Sequence, residues 1–247
     1  SSGQFFNVYQ EVGLTGSTLL ILSNFLILGQ DLVMFTGVSD GAFGLTSDFS
    51  QSDTLVYAGL LVPQAWSLSL ELTFYLLAPF ILKNRKMLLL LLFASLLTRV
   101  LLIYVGLGTE DPFSYRFFPA ELSLFILGAL SHQIINPFYA RHKIINNRAI
   151  SLVTIVSIVC ILLFHLIPIN RIVLTIGLIL YFILALPLLA HFQKTYYIDH
   201  WLGRLSYPIY ITHMLLLSVI SFIGKRFEFF ETASYYVCLL YTSDAAD

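Results

Sequence analysis

The chain has 247 residues, of which 58% are hydrophobic, 15% aromatic and only 11% charged. A soluble globular domain carries about 25% charged residues, so this composition, with a mean hydropathy of +0.85, indicates a membrane protein. The formal net charge of -1 leaves no basic surface for a polyphosphate strand and excludes nucleic-acid binding as a main function. Two scattered cysteines, Cys160 and Cys238, are too few for a disulfide framework or a zinc cluster, and no metal site is expected.

Apolar stretches predict the helices. A helix needs about 20 apolar residues to cross ~30 Å of hydrocarbon, and eight stretches bounded by charge, Gly or Pro follow one another. They are Leu14 to Phe35, Pro63 to Leu82, Met87 to Gly106, Phe117 to Ile135, Ala149 to Ile167, Ile172 to His191, Leu205 to Ile223 and Thr232 to Tyr241. The last stretch is too short to cross. The sequence therefore predicts an all-α polytopic transmembrane helix bundle with seven full spans and one truncated span. We expect one membrane-embedded domain over residues 1–241, incomplete at its amino end, and a polar tail at 242–247 that does not belong to the native protein.

The orientation of this bundle is predicted from Lys and Arg, which favour the cytoplasmic side of short loops. One set of alternate loops holds eight of them: Lys83, Arg85, Lys86, Arg141, Lys143, Arg148, Lys194 and Arg204. The other set holds four: Arg116, Arg171, Lys225 and Arg226. The first set is therefore expected inside and the acidic stretch from Asp40 to Asp53 outside, with the amino end before Leu14 in the cytoplasm. We expect a multi-pass protein of the inner (plasma) membrane.

A polar face is predicted on the helix that follows Pro63. Ser67, Glu71 and Tyr75 fall at i, i+4 and i+8, so a hydroxyl, a carboxylate and a phenol share one side of the helix. Ionisable groups at membrane depth are costly, which makes this face either a pocket wall or an interhelical hydrogen-bond seam. Trp66 is expected to be an interfacial aromatic at the outer end of the same helix.

Three further charges lie in or beside predicted spans. Arg99 stands seven residues before Gly106, where it is either a functional group or the partner of Glu71, Asp31 or Glu121 in a structural ion pair. Arg116 and Glu121 flank the outer start of the next span. Each is either a solvated interface anchor or part of a site.

A second polar stretch covers residues 201–213. Ser206 can cap a helix whose first turn tolerates Pro208, and Ser206, Tyr210 and His213 then share a face at i, i+4 and i+7. His213 is either a core histidine bonded to a neighbouring helix or a functional group.

Two motifs resemble the acyltransferase 3 family. Residues 66–79, WSLSLELTFYLLAP, meet every position of the family's W-S-L-x-x-E-x-x-F-Y-x-x-x-P pattern. Residues 202–213, LGRLSYPIYITH, match L-G-x-x-S-Y-x-x-Y-x-x-H, and residues 116–130 look like a weaker family span start. The resemblance covers the whole chain apart from the polar tail.

The resemblance implies a larger bundle of about ten spans. Family members carry an Arg and a His taken as essential in their first span, and neither stands here. The first predicted span of this chain looks like the family's third. We therefore expect a fragment that lacks the first two spans and the catalytic histidine, and that is inactive alone.

The function implied is acyl transfer, commonly acetyl from acetyl-CoA, to a hydroxyl of a glycan or lipid-linked sugar. No permanently bound cofactor is expected; acyl-CoA is the donor substrate, and the bilayer and the glycan acceptor are the other partners. Glu71 is the candidate catalytic residue, and the expected substrate-binding residues are Trp66, Ser67, Tyr75, Arg99, Arg116, Glu121, Ser206, Tyr207, Tyr210 and His213. A transporter or flippase for a lipid-linked sugar is the alternative, since intramembrane charges also line translocation paths.

Overall fold

A computed structural model describes residues 2–167, 170–195, 203–205, 208–210, 212 and 216. The described chain is mostly helical. The helices are α1 (Ser2–Glu11), α2 (Gly13–Leu26), α3 (Gln30–Val33), α4 (Trp66–Ile81), α5 (Arg85–Val105), α6 (Phe118–Leu130), α7 (Asn136–Arg141), α8 (Asn147–Leu163) and α9 (Arg171–Thr195). A short antiparallel hairpin, β1 (Thr36–Ser39) with β2 (Ala42–Leu45), lies between α3 and α4 and pairs Thr36 with Leu45. The predicted helical class is therefore correct.

Three helical segments in the described part of the chain are long and apolar enough to cross a membrane: Arg85–Val105, Phe118–Arg141 and Ile172–Gln193. Each overlaps a predicted span, and the second extends six residues beyond the predicted end at Ile135 to include Arg141, which was predicted to lie in a loop. The middle segment joins α6 and α7 through a π-helical turn, Ser131–Ile135. Two shorter apolar helices, Gly13–Leu26 and Asn147–Leu163, also lie within predicted spans. At about 1.5 Å per residue, the 14 residues of α2 extend about 21 Å, less than the hydrocarbon thickness.

The first predicted span, Leu14 to Phe35, is not one continuous helix. The backbone of Ile27 at the end of α2 is left-handed, with φ of 64°, and Gly29 follows with φ of 80°. Glycine adopts this conformation without the steric cost that other residues incur. The chain therefore leaves helical geometry after Leu26 and resumes it only in the four residues of α3.

Residues 2–65 form a compact segment that we call the amino-terminal cap. Its apolar core combines Val8 and Val12 with Leu20 of α2 and with Val56 and Leu60 of the loop before α4. Asn24 of α2 donates to the Gly59 carbonyl (2.9 Å) and accepts from the Leu61 amide (2.7 Å).

The cap overturns part of the predicted orientation. The Thr54 hydroxyl donates to the Glu11 carboxylate, and the Tyr9 hydroxyl donates to the Gly59 carbonyl at 3.1 Å. Residues in contact lie on one side of a membrane. The prediction that the amino end is cytoplasmic while residues 40–53 lie outside is therefore wrong, because the two segments fold against each other.

Polar side chains join α5 to α6 at their packed faces. The Ser95 hydroxyl donates to the Ala120 carbonyl (3.1 Å) and accepts from the Ser123 amide (2.8 Å), and all three residues are buried. Asn84 caps α5 by accepting from the amides of Lys86 and Met87. Interhelical hydrogen bonds of this kind stabilise helix pairs where the hydrophobic effect cannot.

The helices α8 and α9 pack together in the same way. The Tyr181 hydroxyl donates to the Val153 carbonyl (3.0 Å) and lies 3.0 Å from the Ser157 hydroxyl. The Ser131 hydroxyl of the π turn donates to the Ile183 carbonyl at 2.5 Å and ties the end of α6 to α9. Helix α9 continues through Pro187.

The chain divides into two compact units, residues 1–197 and 198–247. In the second unit, residues 203–205, 208–210, 212 and 216 are helical, and the Thr212 hydroxyl donates to the Pro208 carbonyl at 2.7 Å. Most of the predicted span from Leu205 to Ile223, and all of Thr232 to Tyr241, lies outside the described residues.

Candidate functional site

Trp66 and Arg116 meet at the start of α4 and α6. The guanidinium carbon of Arg116 lies 4.5 Å from the centroid of the Trp66 ring and 4.9 Å from that of Tyr115. The two rings are 5.4 Å apart. A cation over an aromatic face within ~6 Å is attracted by the ring quadrupole by about 0.5–2 kcal/mol. The structure therefore brings together two predicted site residues and adds Tyr115, which the sequence argument did not single out.

Asp111 completes this group on the loop before α6. Its carboxylate accepts from Arg116 at both oxygens, 2.7 Å from Nε and 3.1 Å from a terminal guanidinium nitrogen. It also accepts from the Tyr115 hydroxyl at 3.0 Å. We call Trp66, Asp111, Tyr115 and Arg116 the aromatic–charge cluster. Bidentate pairing of this kind fixes the plane of the guanidinium and therefore its position over the rings.

The Tyr115 phenol is a donor at neutral pH. Burial raises the pKa of Tyr115, and the neighbouring Asp111 carboxylate acts in the same direction, against the opposing effect of Arg116. A raised pKa keeps the hydroxyl protonated. The cluster therefore combines a carboxylate, a fixed cation and a neutral phenol around an aromatic surface.

Three phenylalanines attach the amino-terminal cap to the same loop. The ring of Phe35 lies 5.1 Å from Phe113 and 5.6 Å from Phe117, with edge-on or tilted geometry. Trp66 itself packs against the apolar core of the cap. The cap, the loop before α6 and the first turn of α4 thus lie at one end of the helices.

Arg99 pairs with Glu121. A terminal nitrogen of Arg99 donates to the Glu121 carboxylate at 2.7 Å and to the Ala120 carbonyl at 3.2 Å. The Glu121 side chain is 13% exposed and that of Arg99 34%. Of the three partners considered from the sequence, Glu121 is therefore the one that the structure selects. The pair joins α5 to α6 one helical turn inside the end that carries the aromatic–charge cluster.

The face of α4 that carries Glu71 is not the face that packs against other described parts of the chain. Glu71 is exposed, Tyr75 is 60% exposed and Ser67 is half-buried. The buried polar residue of this helix is Ser69. Its hydroxyl accepts from the Gly29 amide (2.8 Å) and donates to the Asp31 carboxylate (2.6 Å), so it binds the turn between α2 and α3. The sequence analysis did not single out Ser69. The available signal was its position two residues before Glu71, which places its hydroxyl on a different face of α4, where it can form an interhelical hydrogen bond.

The second predicted polar stretch is only partly described. Ser206, Tyr207 and His213 lie outside the described residues, whereas Tyr210 is helical and half-buried in the second unit. Among the residues that the structure describes, no group of three or more His, Cys, Asp or Glu side chains could hold a metal ion.

These apolar helices, with charged side chains placed among them, define a membrane protein. The chain belongs to the acyltransferase 3 family, because the family's model, described as an acyltransferase domain, matches residues 17–243. The resemblance found in the motifs is thereby confirmed, and the family indicates acyltransferase activity in general.

A relative without an assigned function is also similar to the chain. An uncharacterized protein of Aquifex aeolicus (strain VF5) is 27% identical over 166 residues, which cover 66% of this chain and 73% of that protein. No solved structure matches the chain.

Proposed function

We propose that the protein transfers an acyl group from acyl-CoA to a hydroxyl of a glycan or a lipid-linked sugar, within a multi-pass domain of the inner membrane. The family match over residues 17–243 is the observation that carries this proposal. In the transfer, the acceptor hydroxyl oxygen bonds to the thioester carbonyl carbon and the carbon–sulfur bond breaks. The proton released by the hydroxyl ends on the coenzyme A thiol.

The aromatic–charge cluster supports a sugar as the acceptor. The rings of Trp66 and Tyr115 offer an apolar surface, and the Asp111 carboxylate beside them has lone pairs that can accept from hydroxyl groups. Arg116 fixes the carboxylate and the aromatic rings relative to each other, because it donates two hydrogen bonds to Asp111 and lies over the rings. Ligand sites of this composition, mostly apolar with a few placed polar groups, are typical of specific small-molecule recognition.

Glu71 is the acid–base group that we propose for this reaction. It stands five residues after Trp66 on α4, about 7.5 Å further along the helix axis and about 140° around it. Its exposure leaves the carboxylate accessible to a partner or substrate. General acid–base catalysis by a positioned carboxylate contributes typically 10²–10⁴-fold to a rate.

The test is an assay on the complete gene product in its native membrane, with isotopically labelled acetyl-CoA, the smallest donor, and glycan acceptors. Protein-dependent label in alkali-labile esters on the glycan is the expected result. Trp66→Leu should raise the acceptor concentration that gives a half-maximal rate. The control is Tyr104→Leu, because Tyr104 is an exposed aromatic residue in the last turn of α5, at the end of the helix that lies nearest the cluster; it should leave that concentration unchanged. Absence of protein-dependent transfer from any acyl-CoA would overturn the proposal.

A further inference from the structure

Six exposed cations gather at the end of the helices opposite the aromatic–charge cluster. The Gln133 side chain donates to the Leu82 carbonyl at 3.0 Å, so the loop between α4 and α5 lies beside the π-helical turn that leads into α7. The cations lie on this loop, in the first turn of α5, at the end of α7 and at the start of α8. We call them the basic end: Lys83, Arg85, Lys86, Arg141, Lys143 and Arg148.

No acidic side chain in the described part of the chain compensates the basic end. The two ion pairs within the described residues are those of Arg99 and Arg116, so none of the six cations is paired there. Residues 72–109 and 122–195 contain no Asp or Glu. The acidic residues between these ranges lie at the other end of α5, whose 21 residues extend about 31 Å. That distance is several times the Debye length of ~8 Å at physiological ionic strength.

Three of the cations stand where the electrostatics of a helix disfavours them. Arg85 and Lys86 lie in the first turn of α5, and Arg148 lies in the first turn of α8. The amino terminus of a helix carries a partial positive charge, which favours anions in the first turn. The N-cap residues are the uncharged Asn84 and Asn146. The helix termini and the side chains therefore reinforce one positive field, and a bound anion would relieve the repulsion.

The exposed surface beside the basic end is apolar. Lys86, Leu90 and Phe93 stand at i, i+4 and i+7 on α5 and share one face of the helix. Leu90 is 63% exposed and Phe93 66%. They belong to Arg85–Val105, which is long and apolar enough to cross a membrane. A ligand that fits this surface has an anionic group followed by hydrocarbon, which is the structure of a phospholipid.

From these features we propose that the basic end binds the headgroup of an anionic phospholipid, whose acyl chains lie along the exposed apolar face of α5. Lysine and arginine donate charge-assisted hydrogen bonds to phosphate oxygens. Clusters of about four to eight such residues next to a membrane-crossing helix attract anionic lipids. The proposal concerns a lipid partner, and it stands or falls independently of the acyl transfer proposed above.

The test measures lipid binding to the detergent-purified chain by native mass spectrometry. Phosphatidylglycerol should bind about tenfold or more tightly than phosphatidylcholine, because each cation near a charged headgroup adds to its attraction. Changing Lys83, Arg85 and Lys86 together to Gln should remove most of this preference. The matched control keeps the charges at the same positions, as Lys83→Arg, Arg85→Lys and Lys86→Arg, and should retain the preference.

Photocrosslinking locates the bound lipid. A phosphatidylglycerol with a diazirine in its acyl chain should label residues within 87–93, and the triple Gln variant should lose this labelling. Equal binding of the two lipids by the parent, or the same preference in the triple Gln variant and its control, would overturn the proposal. Displacement of the lipid by an equal concentration of coenzyme A would also overturn it, because the basic end would then be a site for the phosphates of a nucleotide.

Discussion

Arg116 and Trp66 are in direct contact, with the guanidinium carbon 4.5 Å from the centroid of the indole ring. Fifty residues of sequence separate them, including the whole of α5. Because Arg116 is also bound at two atoms by Asp111, the contact holds the loop before α6 against the first turn of α4. Two residues that the sequence treats as separate interfacial anchors are thus one structural unit.

Replacing Arg116 by lysine should disrupt this unit while keeping its charge. Lysine cannot form the planar bidentate contact with Asp111 or lie flat over Trp66. We expect a loss of about 1–2 kcal/mol in the free energy of unfolding. We also expect about a tenfold rise in the acceptor concentration for half-maximal transfer. The measurements are thermal unfolding in detergent and acceptor titration.

Arg141→Lys is the control for that experiment, because Arg141 is an exposed arginine at the end of α7. It should leave both quantities at their parental values. If Arg116→Lys behaves like Arg141→Lys, the aromatic–charge cluster does not contribute to stability or to acceptor binding.

Glu71→Gln separates a chemical role from a structural one. Glu71 is exposed, and among the described residues the structure gives its carboxylate no hydrogen bond or ion pair, so the amide should leave the unfolding temperature unchanged. Acyl transfer by the complete gene product should fall at least 100-fold if the carboxylate acts as acid or base. Glu110→Gln, in the exposed loop after α5, is the matched control and should retain full activity. Parental activity in Glu71→Gln would remove Glu71 from the candidate site.

The Arg99–Glu121 pair predicts an asymmetric double-mutant cycle. Arg99→Gln leaves the more buried Glu121 without its cation, so it should destabilise the protein more than Glu121→Gln, which leaves the more exposed Arg99. The double variant should recover part of the loss, with a coupling energy of about 0.5–3 kcal/mol in the free energy of unfolding. Additive losses, or the opposite order of the two single variants, would show that the pair does not act as a buried unit.

The cap predicts that Glu11 and Thr54 face the same side of the membrane. Single cysteines at these positions and at Glu110, in a background with Cys160 and Cys238 replaced by serine, should react with a membrane-impermeant maleimide from one side. Asn147→Cys, beyond the segment Phe118–Arg141, should react from the other side. Labelling of positions 11 and 54 from opposite sides would contradict the packing of α1 against the loop before α4.

Sequence alone determined the class of the protein and the positions of its longest helices. Hydropathy is a sum over about 20 neighbouring residues, so it identifies a membrane-length helix without knowledge of any partner. The predictions for Met87 to Gly106, Phe117 to Ile135 and Ile172 to His191 agree with α5, with α6 and its π turn, and with α9. The motif at residues 66–79 also led to the correct family, because it is a local pattern.

Tertiary structure decided what hydropathy cannot register. A left-handed turn at Ile27 and Gly29 divides the apolar stretch that hydropathy predicts as one span. The contact between Glu11 and Thr54 brings the segments before and after that stretch together. The choice of Glu121 for Arg99, and of Ser69 rather than the face of Glu71 for packing, depends on which helices lie side by side. These choices depend on pairings between residues 22 to 43 positions apart, because a side chain's partner is set by the packing of distant segments and not by its neighbours in the chain.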